Sequence, residues 1–194
     1  MPTLFSSDDL ASALSTRRRR GLLQARALPV SAWGTPEQPI DAAEALITRA
    51  TEGLKSPVIG WADLALTADA RDVLERVHAP ERLQPGAVSV AGIAMVALVP
   101  FTGSSQLLSL RPRRRFVGGF DPSATLASSG QTIAVRFSGR HVHANYVVAR
   151  LERLRGHIDR YLGWAEDEVG EWREGLTVSV QQATGARLRQ LGQE

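Results

Sequence analysis

The last third of the chain carries the feature that most constrains the fold, an apolar pattern with the period of an α-helix. Its members follow one another at steps of four, three, four, three and four residues: Val147, Leu151, Leu154, Ile158, Tyr161 and Ala165. Less strictly, the same face continues through Val169, Trp172, Leu176 and Val180. This spacing predicts one long amphipathic helix that begins near Val142.

A helix of that length exceeds what a small sheet can cover. At ~1.5 Å per residue, about 45 residues reach about 65–70 Å. We therefore expect the helix to project, or to pair with a partner protein or with a second copy in a homo-oligomer. The face expected to meet a partner consists of Leu151, Leu154, Ile158, Tyr161, Ala165 and Trp172.

Two details leave the course of this helix open. Gly156, Gly163 and Gly170 recur every seven residues, and each costs ~1 kcal/mol relative to alanine in a helix interior. Stacked on one face, they either admit another backbone or make the helix loose and bent. The segment Leu176–Val180 favours a strand locally, so an alternative is that the helix ends near Glu174.

The middle of the chain predicts a small, mostly antiparallel sheet. Val88–Phe101 is apolar on both faces, which is typical of a central strand covered from both sides. Turn residues follow it and predict a return strand at Gln106–Leu110. Thr132–Phe137 alternates between apolar and polar residues, with Arg136 on the outward side.

The region before this sheet is interpreted as mostly helical. The patterns predict helices from Asp8 to about Arg20, over Ala42–Leu54 and over Ala68–Val77, and a strand over Val58–Leu66. The fold class is therefore α+β, with helices at the N-terminal side. We divide the chain into an α+β domain at residues 1–140 and the long helix at residues 141–194.

Composition excludes several kinds of chemistry. The chain has no cysteine, which excludes disulfides, thiol catalysis, iron–sulfur clusters and cysteine-based zinc sites, and it fits a reducing cytoplasm. The longest apolar run is short and interrupted, so we expect no membrane span. The arginines near the start resemble an export signal, but the segment Leu22–Trp33 lacks a long apolar region. We expect a cytoplasmic protein.

No catalytic group of residues emerges from the sequence. His141 and His143 could place two imidazoles on one side of a strand, but a metal needs a third ligand and none is placed nearby. Structural or solvated histidines are the preferred interpretation. There is no phosphate-cradling glycine loop and no nucleophile elbow. We expect no catalytic residue, no metal, no cofactor and no enzymatic activity.

Arginine is almost the only basic residue, with 22 arginines and one lysine, Lys55. It suits phosphate recognition, yet a GC-rich genome would produce the same usage. Location is more informative, because residues 111–160 hold ten arginines against three acidic residues. If the strands at Leu107 and Ile133 are neighbours, one basic edge forms. Its candidate nucleic-acid contacts are Arg111, Arg113, Arg114, Arg115, Arg136 and Arg140.

The alternative is that this edge faces solvent or the protein's own carboxylates. Glu166, Asp167, Glu168 and Glu171 crowd one stretch of the predicted C-terminal helix. Residues 161–194 hold six acidic residues against three arginines, so the two segments have opposite charge.

Three short segments carry a resemblance to a known group. They are Pro100-Phe101-Thr102-Gly103, Arg111-Pro112, and Ile158-Asp159-Arg160-Tyr161-Leu162-Gly163-Trp164. Over about residues 96–176 the chain resembles the N-terminal region of uncharacterised bacterial proteins that carry a downstream PD-(D/E)XK nuclease-like domain. Departures are Ser104, where the group usually has an acidic residue, and the absence of a Glu-x-Lys motif around Lys55.

The resemblance implies the non-catalytic half of such a protein, either a natural short form or one piece of a longer chain. No catalytic residue carries over. We therefore expect a recognition or assembly module that contacts nucleic acid and is linked to bacterial nuclease or antiviral defence systems. The alternative function is a structural or oligomerisation protein that uses the C-terminal helix and has no nucleic-acid role.

Overall fold

The computed structural model describes residues 3–29, 38–77, 86–116, 120–128, 130–139 and 142–191. Side chains at residues 38–40 and 69–91 are not described. The helices are α1 (Leu10–Arg26), α2 (Gln38–Thr51), α3 (Gln106–Ser109) and α4 (Ala144–Leu191), and a 3₁₀ turn spans Trp61–Asp63. The strands are β1 (Val58–Ile59), β2 (Ala65–Val77), β3 (Gly86–Thr102), β4 (Ala124–Leu126) and β5 (Thr132–Gly139). The predicted α+β class is confirmed.

The sheet is antiparallel and is built around β3. β3 pairs with β1 and β2 along one edge and with β5 along the other, and β4 lies outside β5. The predictions of strands at Val88–Phe101 and Thr132–Phe137 are confirmed. Alternation along β5 buries Ile133, Val135 and Phe137 and leaves Arg136 exposed, as the pattern predicted.

β2 and β3 form a ribbon that is longer than the rest of the sheet. Within the described residues, β5 pairs with β3 from Ile93 to Pro100, whereas β2 continues alongside β3 from Arg71 opposite Gly92 to Val77 opposite Gly86. The prediction of a helix at Ala68–Val77 is therefore wrong. Its apolar spacing suits one turn of helix, but pairing with the long β3 decides the conformation, and local spacing does not contain that information.

The predicted strand at Gln106–Leu110 is also wrong, because Gln106–Ser109 forms the short helix α3. The Ser104 hydroxyl accepts a hydrogen bond from the Gln106 backbone N–H at 3.2 Å. Leu107 and Leu108 are both fully buried, and two consecutive buried side chains fit a helical turn better than an alternating strand. The strand that pairs with the outer edge of β5, away from β3, is β4.

The core of the molecule lies between α4 and one face of the sheet. We call it the sheet cluster; it joins Val99, Phe101, Ile133, Val135 and Phe137 of the sheet to Val147, Leu151, Leu154, Ile158, Tyr161 and Ala165 of α4. The face that the sequence assigned to a partner is therefore filled by the same chain. Leu151, Leu154, Ile158, Tyr161 and Ala165 are buried, and Trp172 is partly buried against the same cluster.

The end of α4 packs against α1 and α2. The helix has 48 residues, about 72 Å, and it passes through Leu176–Val180 without a break, so the alternative of an end near Glu174 is wrong. A second group, which we call the helical cluster, consists of Ala25, Ala43, Leu176 and Val180. α1 reaches it because that helix continues past Gly21 to Arg26.

The three α4 glycines that recur every seven residues face open space. At Gly156, Gly163 and Gly170, no atom outside the helix backbone lies within 4 Å of the position that a Cβ would occupy, among the residues that the structure describes. The described part of the chain therefore places no second backbone against these glycines.

Among the described residues, no helix combines the length and the apolar character needed to cross a membrane.

Candidate nucleic-acid interface

The arginine segment at residues 111–115 is held to the start of α1 by its backbone. The Arg111 N–H donates to the Asp8 carbonyl at 3.1 Å, and the Leu10 N–H donates to the Arg111 carbonyl at 2.9 Å. Pro112, next in the chain, is buried. The segment therefore leaves the sheet region at a fixed angle, and the following arginines lie beside α4.

Two of these arginines meet carboxylates of α4. Glu168 accepts the Arg113 backbone N–H at 3.0 Å, and its other oxygen lies 3.4 Å from Arg113 Nε. Arg114 Nη1 lies 4.0 Å from the Asp167 carboxylate. The Glu168 side chain is only 11% exposed, whereas the Arg113 and Arg114 side chains remain 71% and 73% exposed.

The electrostatic potential around residues 113 and 114 therefore has contributions of both signs. A groove of about 610 Å³ is lined by Arg113, Arg114, Trp164, Gly170 and the acidic residues Glu166, Asp167, Glu168, Glu171 and Glu174. Exposed ion pairs of this kind stabilise a fold by less than ~1 kcal/mol each, but the carboxylates oppose the approach of a phosphate.

The structure does not gather the six predicted contacts on one surface. Arg113 and Arg114 contact α4, whereas Arg136 is exposed on the opposite face of β5. Arg111 is half-buried, Arg115 is exposed, and Arg140 lies outside the described residues. The basic edge required neighbouring strands at Leu107 and Ile133, and α3 replaces the first of them.

His143 has a structural role at the start of α4. Its Nδ1 accepts the backbone N–H of Tyr146 at 3.2 Å, and its carbonyl accepts the N–H of Val147 at 3.1 Å. These are the bonds of a helix N-cap. His141 lies outside the described residues. Within the described part of the chain, no group of three or more His, Cys, Asp or Glu residues could hold a metal ion.

A different basic surface lies at the helical end of the molecule. α1 buries Leu10, Leu14, Gly21 and Ala25, and its other faces carry five arginines: Arg17, Arg18, Arg19, Arg20 and Arg26. The helix contains no aspartate or glutamate. Within α1 these charges therefore have no opposing carboxylate.

The neighbouring part of α4 is equally free of acidic residues. Between Gly175 and Leu191 it contains Arg187 and Arg189 and no carboxylate. α1 and α4 are joined there by a hydrogen bond of 2.6 Å from Arg18 Nη2 to the Ser179 hydroxyl. A groove of about 460 Å³ runs between the two helices, lined by Leu22, Arg26, Ser179, Gln182, Ala183, Ala186, Arg187 and Gln190.

We call this region the helical basic surface and define it by Arg18, Arg19, Arg26, Arg187 and Arg189. Arg187 Nε is buried without a hydrogen-bond partner in the described part of the chain. The sequence predicts Arg17–Arg20 at the end of a helix, and the predicted nucleic-acid contacts lie instead in residues 111–115 and at Arg136 and Arg140. The signal that could have identified it is the absence of acidic residues from both contributing segments, whereas the prediction rested on the charge balance of residues 111–160.

One further ionic cluster fixes the loop before β4 to α4. Arg150 donates to both Asp121 oxygens at 3.0–3.3 Å, to the Ser123 hydroxyl at 3.1 Å and to the Tyr146 hydroxyl at 2.8 Å. Asp121 also accepts the Ser123 backbone N–H at 2.9 Å. Burial alone would raise the pKa of Asp121, but hydrogen bonds from Ser123 and Arg150 outweigh it, so this pKa lies below its ordinary value of 3.8.

This cluster should make stability depend on acid pH. A lowered carboxyl pKa contributes stability that is complete above the ordinary pKa and is lost as pH falls through the lowered one. We expect Asp121→Asn to destabilise the fold by about 1–2 kcal/mol at pH 7 and by less at pH 3, which is below the ordinary pKa. Urea unfolding at both pH values measures this, and an equal difference at both would contradict it.

Comparison with known protein families, with curated proteins and with solved structures finds no match to this chain.

Proposed function

We propose that the protein is a non-catalytic module that contacts nucleic acid through the helical basic surface. One observation carries the proposal: α1 and residues 175–191 of α4 lie side by side and together contain seven arginines and no carboxylate. Guanidinium groups bind phosphate oxygens through paired N–H donors, and several of them together supply the salt-dependent affinity of phosphate-backbone contacts.

The character of the surface favours binding without sequence preference. The side chains between its arginines are Leu22, Ala183 and Ala186 with polar glutamines, and the groove-lining residues include no aromatic side chain for base stacking. Contacts to phosphate fix register and orientation without reading bases. The segment at residues 111–115 is less suited, because Asp167 and Glu168 already lie against its arginines.

The wider role remains a proposal from the resemblance. A phosphate-binding module fits the expected position upstream of a nuclease, where it would hold the target while another domain or protein acts. The cytoplasm, where such targets lie, is the proposed location. This role needs no catalytic residue in the described part of the chain.

The test compares two triple variants that remove equal charge from opposite surfaces. The first combines Arg19→Gln, Arg26→Gln and Arg189→Gln, all exposed in the helical basic surface. Its control combines Arg113→Gln, Arg114→Gln and Arg115→Gln, also exposed. Fluorescence anisotropy with labelled duplex and single-stranded DNA, at about 50 mM and about 200 mM salt, measures affinity and its salt dependence.

We expect the first variant to lose at least about tenfold in affinity at low salt, with a salt slope smaller by about two to three. The control should stay within about threefold, because Arg113 and Arg114 lie near the carboxylates of Glu168 and Asp167. A larger loss in the control would assign binding to residues 111–115. Absence of wild-type binding at the lower salt concentration would overturn the proposal.

A further inference from the structure

A second arginine-lined groove lies on the other flank of α1, between α1, α2 and the start of α3. Its volume is about 510 Å³. Three guanidinium groups line it, those of Arg17, Arg20 and Arg49, together with Gly21, Gln24, Leu46, Ala50, Glu52, Gly53 and Gln106. Glu52 is the only carboxylate among these lining residues, so the groove has an excess of positive charge.

Arg17 is fixed in this groove by three hydrogen bonds. Its Nη1 donates to the carbonyls of Ala50 and Glu52, and its Nη2 donates to Gln106 Oε1, each at 2.8 Å. The guanidinium thus satisfies backbone carbonyls at the C-terminal end of α2. Because a guanidinium has five N–H donors, two remain for a ligand.

A glycine makes room for this arrangement. Gly53 has a φ of +74°, and a Cβ at that position would lie 2.9 Å from Gln106 Oε1. The missing side chain lets Gln106 lie across the turn and accept from Arg17. The amide nitrogen of Gln106 is then left as a further donor at the groove. One cation and one amide are therefore held in place before any ligand binds.

The other two arginines are exposed and make no hydrogen bond or ion pair within the described residues. We propose that this groove binds a phosphate monoester, with Arg17 as the fixed donor and Arg20 and Arg49 closing on the remaining oxygens. Three guanidinium groups against one carboxylate leave a net charge of about +2, which matches a dianionic monoester better than the single charge of a phosphodiester. The proposal does not rest on the helical basic surface, whose residues are different.

Two kinds of ligand carry a phosphate monoester that could bind in this groove, a free phosphorylated small molecule and the 5′-phosphate of a nucleic-acid strand. Isothermal titration calorimetry of the full chain separates them with four probes. Adenosine 5′-monophosphate and adenosine form one pair, and 5′-phosphorylated and 5′-hydroxyl forms of one short oligonucleotide form the other. Single variants Arg20→Gln and Arg49→Gln test the groove, and Arg153→Gln, exposed on α4 outside both arginine surfaces, is the matched control.

We expect at least one phosphorylated probe to bind more tightly than its unphosphorylated partner. Arg20→Gln and Arg49→Gln should each weaken that binding about tenfold, the size of one charge-assisted hydrogen bond, while Arg153→Gln leaves it unchanged. Binding of the monophosphate identifies a small-molecule ligand, and binding of only the phosphorylated strand identifies a nucleic-acid end. The proposal fails if phosphorylation makes no difference in either pair, or if all three variants behave alike.

Discussion

Replacing Tyr161 with alanine is expected to lower the free energy of unfolding by about 4 kcal/mol. The residue is 1% exposed and lies at the centre of the sheet cluster. Its ring centroid lies 4.7 Å from that of Phe5, 5.3 Å from Phe120, and 5.4 Å from both Phe116 and Trp164. Truncation leaves a cavity that four rings from three separate chain segments cannot close together.

A matched variant separates the ring from its hydroxyl. Tyr161→Phe keeps every ring contact and removes only the oxygen that accepts the Phe116 backbone N–H at 3.3 Å. We expect this change to cost about 1 kcal/mol. Urea unfolding followed by circular dichroism measures both variants. Equal effects would mean that the ring contributes no packing, and would contradict the position of α4 over the sheet.

Alanine at Gly156, Gly163 and Gly170 together is expected to raise the free energy of unfolding by about 2 kcal/mol. Each replacement removes backbone freedom from the unfolded chain and adds a methyl group where, apart from adjacent residues and the helix's own backbone, no described atom lies within 4 Å. Gains of about 0.5–1 kcal/mol per site are ordinary for such positions. Thermal and urea unfolding of the triple variant against wild type measures the change.

Alanine at Gly53 should instead lower the free energy of unfolding. Its φ of +74° strains any residue with a Cβ, and the added atom would meet Gln106 at 2.9 Å. We expect Gly53→Ala to destabilise the fold by about 1–2 kcal/mol. If the triple variant on α4 also destabilised the protein, those glycines would have a packing role, and close approach by another backbone would again be the better interpretation.

The sequence predicted the fold well where one element's own pattern decides its structure. α4 and β5 each show their period clearly, and β3 shows an apolar run long enough to identify a central strand. β2 was missed because Val73, Leu74 and Val77 also fit one helical face, and only pairing with β3 selects the strand. Non-local pairing of this kind leaves no periodic trace in a single segment.

The candidate site was harder to predict for an electrostatic reason. Arg113 and Arg114 belong to a segment with four arginines in five residues, but Glu168 and Asp167 reach them from more than 50 positions along the chain. Arg19 and Arg26 are farther apart in the sequence, yet α1 places them on a helix without acidic residues. Potential at a surface depends on which charges the fold brings together, so the charge balance of one segment of the chain does not determine it.

Trp172 occupies a position on α4 that connects the two ends of the molecule. Its indole packs against both the sheet cluster and the helical cluster, and Trp164 lies about two turns earlier among the rings around Tyr161. Indole emission responds to the polarity and motion of its surroundings. The chain thus carries its own optical probes: Trp172 reports on the contact between the two clusters, and Trp164 reports on the aromatic core. A ligand that shifts α1 against α4 would become visible without an added label.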